Sequence, residues 1–132
     1  MPTFHFDLVS PERLLFSGEV EQVDLPGADG DFGVLAGHSP LVATLKPGVV
    51  TISGNGHDAR IVVFGGFAEV SPAGLTLLAD GAMPAGQVDP ARIAAEIRRA
   101  EETLAAAHGE EARDRAQRTL DQMRALEATA AA

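Results

Sequence analysis

Residues 25–48 read LPGADGDFGVLAGHSPLVATLKPG, and the texture of this stretch decides what kind of fold the chain adopts. Five glycines, three prolines and two aspartates are spread through it, with short apolar runs between them. Glycine reaches backbone angles that other residues resist, and proline fixes φ while removing a hydrogen-bond donor. A long helix is not written this way, nor is a floppy linker; short strands joined by shaped turns are. Asp29-Gly30-Asp31 reads as an exposed tip, with Phe32 and Val34 returning the chain to a core.

Outward from this stretch the same texture continues. Residues 3–9 alternate in the manner of a half-buried strand. Ser10-Pro11-Glu12 is a turn, residues 14–20 a second strand broken at Ser17-Gly18, and residues 23–25 a third. Segments 32–35 and 41–45 follow. Segments 49–53 and 60–64 flank Gly54-Asn55-Gly56, whose Asn-Gly step signals a hairpin. Segments 67–70 and 75–79 flank the turn Ser71-Pro72-Ala73-Gly74, and Gly65-Gly66 marks a bend or a close backbone approach. Short strands recurring at about ten-residue spacing imply an antiparallel β-sandwich or flattened barrel.

After residue 79 the texture changes. Residues 80–87 read as a linker of small residues. Asp89-Pro90 then supplies a helix cap with proline in the first turn. Ile93, Ile97, Ala100, Leu104 and Ala107 recur on one helical face, and His108-Gly109 ends the run with glycine as the expected C-terminal cap. A second helix starts near Glu110 with Ala112, Ala116, Leu120, Met123 and Leu126 on one face, so an antiparallel two-helix hairpin is expected, fraying over residues 129–132. The chain thus divides into a β-domain, 1–87, and a helical hairpin, 88–132.

Bulk composition excludes several functions. A chain of 132 residues, 45% hydrophobic, suits one core with a small appendage. Tryptophan and tyrosine are absent, so Phe4, Phe6, Phe16, Phe32, Phe64 and Phe67 must supply any aromatic packing. A formal charge of −9 repels nucleic acid. Without cysteine there are no disulfides and no thiolate metal sites. No apolar run approaches the ~20 residues of a membrane span, and the strand-like residues 3–9 leave no expected targeting peptide. Catalysis has no support either. Neither a Gly-x-Ser-x-Gly elbow nor a His-Glu-x-x-His pair occurs, and His5, His38, His57 and His108 are scattered singly, with His5 and His57 in contexts that chance explains.

Gly30-Asp31-Phe32-Gly33, Gly37-His38-Ser39-Pro40-Leu41 and Lys46-Pro47-Gly48, at these spacings, closely resemble the signature of the ε subunits of F-type ATP synthases, called δ in mitochondria. Ala36 departs from it, standing where the family commonly has proline. Gly65-Gly66-Phe67-Ala68-Glu69-Val70 is similar to the family's glycine pair, apolar residue and Glu-Val, and the order of β-domain and helical hairpin covers the whole chain. The resemblance implies a non-catalytic rotor subunit at the cytoplasmic face of the bacterial inner membrane, needing no cofactor. Its β-domain would dock the γ subunit and the proton-driven c-ring, leaving an exposed apolar patch for γ on the isolated domain. The resemblance implies that Asp29, Gly30 and Asp31 meet c-ring loops, and that Phe32, His38 and Ser39 belong with them to the γ and c-ring interface. The hairpin would touch α and β subunits transiently if it extends.

The resemblance raises one ligand. Val88-Asp89-Pro90-Ala91-Arg92-Ile93 is similar to the ATP-binding motif of some members, and Asp89, Arg92 and Arg99 could share a helix face. Ile93 replaces the motif's alanine, however, and Met83 stands where nucleotide-binding members tend to carry glutamate. A helix cap with an ordinary ion pair explains the trio equally well and is preferred. Inhibitory members carry a markedly basic last helix. Here residues 110–132 hold four arginines against five acids with the signs interleaved, which implies weak inhibition or none. Two competing readings are a free-standing β-sandwich binding module dimerised by its helices, and a small cupin-like metal enzyme, which requires three convergent histidines or carboxylates.

Overall fold

The computed structural model describes residues 2–131, and the side chains of 2–128. Of the end read as frayed, Ala132 and the side chains of 129–131 lie outside the described residues. The described residues form two compact units, one up to Ala85 and one from Gly86.

The first unit holds β1 (Phe4–Val9), β2 (Leu14–Val20), β3 (Gln22–Leu25), β4 (Phe32–Leu35), β5 (Leu41–Gly54), β6 (His57–Ser71), β7 (Gly74–Ala79) and β8 (Ala82–Pro84). They make one sheet in the order β2-β1-β7-β6-β5-β3-β4, with β8 paired to β6. A single residue, Glu21, joins β2 to β3, yet these strands stand five places apart in that order. The sheet therefore has to curl over on itself to let the chain cross so quickly. Hydrogen bonds hold the crossing: the Glu21 N–H donates to the Ser53 carbonyl (3.0 Å), and the Asn55 N–H donates to the Glu21 carboxylate (2.8 Å). The Phe16 ring meets His57 edge-on at 5.0 Å beside it.

Three expectations are corrected here. The sheet is not wholly antiparallel, because β1 and β7 run parallel, Phe6 opposite Leu75 through Val9 opposite Leu78. A long excursion through β2–β6 separates them, so no tight hairpin forces them to oppose. Second, β5 and β6 are each one strand of 14 and 15 residues rather than two short ones. Lys46-Pro47-Gly48 and Gly65-Gly66 bend the paired strands instead of ending them; pairing runs from Leu45 opposite Gly66 to Pro47 opposite Phe64. Third, part of the supposed linker is β8, which pairs Ala82 with Val63 and Pro84 with Ile61. Three residues are too few to show an alternation.

Gly66 explains why the bend has its sequence. Its φ is +150°, and a Cβ there would lie 2.4 Å from the Leu78 carbonyl oxygen and 2.9 Å from Ala79 Cα on the adjacent strand. Only a residue without a side chain lets β6 and β7 pack this close at the corner. The hairpin at the other end of β6 is as expected, with Asn55 and Gly56 both at positive φ (57° and 82°) between Gly54 and its partner His57.

Alternation along most of the strands sends one side chain in two inward, while Ile61, Val62, Val63 and Phe64 of β6 are buried in succession. Phe6 and Leu8, Val23 and Leu25, Val50 and Ile52, and Leu75 and Leu77 are all essentially inaccessible and belong to one cluster drawn from β1 through β7. Each such side chain contributes roughly 1.5–3 kcal/mol by leaving water. The first unit thus has a core of its own.

In the second unit a short 3-10 turn, Ala85–Gln87, precedes α1 (Pro90–Ala106) and α2 (Glu110–Ala131). Asp89 caps α1, its carboxylate accepting from the Ala91 N–H at 2.9 Å, with Pro90 in the first turn. Ile93 and Ala100 of α1 and Ala116, Leu120, Met123 and Leu126 of α2 are buried. Arg124 reaching back to Glu101 (3.4 Å) fixes the antiparallel sense. Gly109 does not cap α1. The Ala107 N–H closes that helix by donating to the Leu104 carbonyl, while the Gly109 carbonyl accepts from the Arg113 N–H and so opens α2.

Candidate functional site

Asp29 and Asp31 stand exposed on the β3–β4 loop, where the Gly30 N–H donates to the Gly27 carbonyl. Two hydrogen bonds fasten this loop to β5, from the Ala28 N–H to the Thr44 carbonyl and from the Lys46 N–H to the Pro26 carbonyl, both 2.9 Å. The tip is therefore a braced projection rather than a loose loop. Lys46, the single lysine of the chain, places its ammonium 3.5 Å from the Asp31 carboxylate, which remains 75% exposed. Phe32 is half-buried and packs on the core behind it.

His38 and Ser39 lie elsewhere. They belong to the turn from β4 into β5, where the His38 N–H donates to the Leu35 carbonyl and Nδ1 donates to the Ser39 carbonyl at 2.6 Å. The whole of β4 separates this turn from the acidic tip, a distance of about 15 Å at ~3.3 Å per residue. The structure thus splits the group of six residues singled out from sequence. Asp29, Gly30, Asp31 and Phe32 form one site. His38 and Ser39 lie apart from them, His38 lining a groove with Thr3, His5, Glu19 and Pro72.

The exposed apolar patch expected from sequence had no residues attached to it there. Leu14, Val42, Phe67 and Leu78 are each between 42% and 57% exposed. Strand register aligns them: Leu14 is opposite Val9, Val9 is beside Leu78, Leu78 is opposite Phe67, and Val42, opposite Glu69, is diagonal to Phe67. The result is an apolar row across five strands, β2, β1, β7, β6 and β5, about 19 Å long at ~4.8 Å per strand. Phe67, counted among the aromatic residues available for packing, contributes here outside the core. The signal was present as an apolar residue on the wrong phase of the alternation: Ala68 and Val70 are buried, so Phe67 faces out.

On α1 the structure brings Arg92 and Arg99 together through a residue that sequence reading passed over. Glu96 Oε1 accepts from Arg92 Nε and from Arg99 Nη1, both at 3.4 Å. Asp89 turns instead to the helix N-terminus. A carboxylate between two guanidiniums competes with any phosphate for them. Among the described residues, no group of three or more histidines, cysteines or acids is placed to hold a metal ion, and no helix is long and apolar enough to cross a membrane.

The described chain is thus a curled sheet with a braced acidic tip and an exposed apolar row, followed by a two-helix hairpin. Residues 3–85 match the family described as ATP synthase, Delta/Epsilon chain, beta-sandwich domain. The chain is 53% identical over 127 residues to the ATP synthase epsilon chain of Bradyrhizobium sp. strain BTAi1, covering 96% of this chain and 93% of that one. It is 59% identical over 104 residues to that of Afipia carboxidovorans, covering 79% and 76%. A chain of the cryo-EM structure of the Euglena gracilis mitochondrial ATP synthase, OSCP/F1/c-ring, is similar at a TM-score of 0.69 and 25% identity, over 98% of this chain and 82% of that one. One from the Tetrahymena thermophila central stalk and c-ring shares the fold at a TM-score of 0.69 and 10% identity. The chain belongs to the ATP synthase delta/epsilon family.

Proposed function

We propose that the chain is the ε-type subunit of a bacterial F-type ATP synthase, a non-catalytic part of the rotor that couples γ to the c-ring, at the cytoplasmic face of the inner membrane. Family membership supports the role, and the apolar row from Leu14 to Val42 is the single observation that carries the mechanism. Burying it on γ removes apolar surface that an isolated domain leaves in water. The His38–Ser39 turn leads directly into Leu41 and Val42 and borders the same contact. At the other end of β4, Asp29 and Asp31 present negative charge to c-ring loops. Two surfaces on one rigid sheet let torque pass without slippage, because the bent β5–β6 pair that carries Val42 and Phe67 also braces the acidic tip.

Asp31→Asn is expected to leave stability within about 0.5 kcal/mol of wild type, since an exposed ion pair contributes little. It should nonetheless weaken association with the c-ring several-fold and flatten its salt dependence, measured by binding of γε complexes to isolated c-rings over a salt series. Unchanged affinity would remove the tip from the interface.

The hairpin, on this reading, restrains hydrolysis little. α2 has Glu110 and Glu111 in its first turn and no basic residue in its last, and Arg124 is engaged by Glu101. Deleting residues 88–132 should change the ATPase rate of the assembled complex less than about twofold, a barrier change of under ~0.4 kcal/mol. Several-fold activation would show an inhibitory arm. The Arg92–Glu96–Arg99 arrangement favours a structural role for the trio over nucleotide binding.

A further inference from the structure

His5 is held between two carboxylates. On the outer face of β1, Nδ1 lies 3.0 Å from Glu19 Oε2 of the facing strand, and Nε2 lies 3.0 Å from Asp7 Oδ1 two residues on. Ser17, opposite Asp7, donates its hydroxyl to the same Oδ1 and so extends the chain Glu19–His5–Asp7–Ser17 across β1 and β2. A neutral imidazole has one N–H and one lone pair, and a lone pair facing a carboxylate oxygen at this distance repels it. A ring that carries two protons satisfies both carboxylates at once, with the Ser17 hydroxyl a further neighbour of Nε2 at 3.5 Å. β7, which pairs with β1 on its other side, brings up Gly74 and Thr76, neither charged. Glu69 of β6 lies beyond Thr76, and His38 lines the same groove as His5 and Glu19.

We propose that His5 is a proton-operated clasp across the β1–β2 edge, closed as an imidazolium and opened by loss of its proton, and that this makes docking at the adjacent apolar row depend on pH. The second half rests on the docking reading above: Val9 and Leu14, one end of the row, sit on the two strands the clasp joins. Opening it leaves a carboxylate without its histidine partner on this face and removes the side-chain link between strands that the backbone ladder still pairs. The bond to Glu19, then that to Asp7, holds the His5 ring above the ordinary imidazole value of 6.5. The bond from Ser17 holds the Asp7 carboxyl below 3.8. A raised histidine stabilises fully below pH 6.5 and loses that contribution as pH rises through its folded value. A lowered carboxyl stabilises above pH 3.8 and loses it as pH falls through its own. The clasp is therefore strongest between these two limits.

Histidine ring titration by NMR on the full chain tests the clasp. The His5 midpoint is expected above 6.5, and Glu19→Gln and Asp7→Asn should each bring it down. A wild-type midpoint at or below 6.5, or variants that leave it unmoved, overturns the clasp. Binding to purified γ at about pH 6 and about pH 8.5 tests its consequence. Wild type should bind several-fold more tightly at the lower pH, and His5→Gln should bind equally at both. Equal wild-type affinities overturn the pH-dependent docking. No binding at either pH sinks the docking assignment instead, while the ring titration still decides the clasp.

Discussion

Phe67→Asp is expected to abolish stable association with γ while leaving the chain folded. Phe67 sits inside the apolar row, flanked by Leu78 on β7 and by Val42 diagonally on β5. An aspartate there would be buried without a partner in the complex, and a central aromatic anchor would be lost with it. Truncations of such anchors commonly cost about 2–4 kcal/mol, roughly 30- to 1,000-fold in affinity. Because the side chain is 42% exposed in the isolated chain, the loss of folding stability should stay near 1 kcal/mol, mostly from the poor strand preference of aspartate. Calorimetric titration with γ, paired with thermal unfolding of the variant, separates the two effects. Retained affinity would mean that γ binds another face.

Gly66→Val should do the opposite, unfolding the β-unit rather than blunting a surface. Its Cβ would overlap the Leu78 carbonyl oxygen at 2.4 Å, a backbone atom that cannot swing away, at a φ of +150° that a β-branched residue resists. The expected loss is at least ~3 kcal/mol, or a fall in Tm of about 10 °C or more for a unit of this size. Gly86→Ala is the control, because nothing lies within 4 Å of the Cβ it would add and its φ is not in the left-handed region. If both variants melt alike, the bend at Gly65-Gly66 is not what closes the sheet.

Local chemistry made much of the fold legible. Turn residues with fixed φ demands, such as Asn55-Gly56, and the switch from strand alternation to helical spacing near Asp89 are written into neighbouring residues. What escaped depends on partners distant in the chain. The parallel seam of β1 and β7 joins strands at opposite ends of the β-unit's sequence, and no local signal reports it. The long strands β5 and β6 were divided because Pro47 and Gly66 end strands more often than they bend them. The same holds for the sites. The exposure of Asp31 was legible because acidic glycine turns point outward, its proposed contact came only from the resemblance, and its separation from His38 follows from the length of β4. The apolar row needs the register of five strands before Leu14, Leu78 and Phe67 become neighbours. His5 looked incidental because Glu19 stands fourteen residues away in sequence and becomes its neighbour only through the β1–β2 register.

The absence of cysteine offers a clean probe of where γ sits. A single cysteine placed at Leu78, carrying a thiol-directed photocrosslinker, reports from the centre of the apolar row, and one at exposed Asp58 on β6 reports from outside it. In assembled enzyme, illumination should join the chain to γ from position 78 and not from position 58. Crosslinking from 58 alone, or none from 78 in an enzyme that still couples, would contradict the docking of γ on this face.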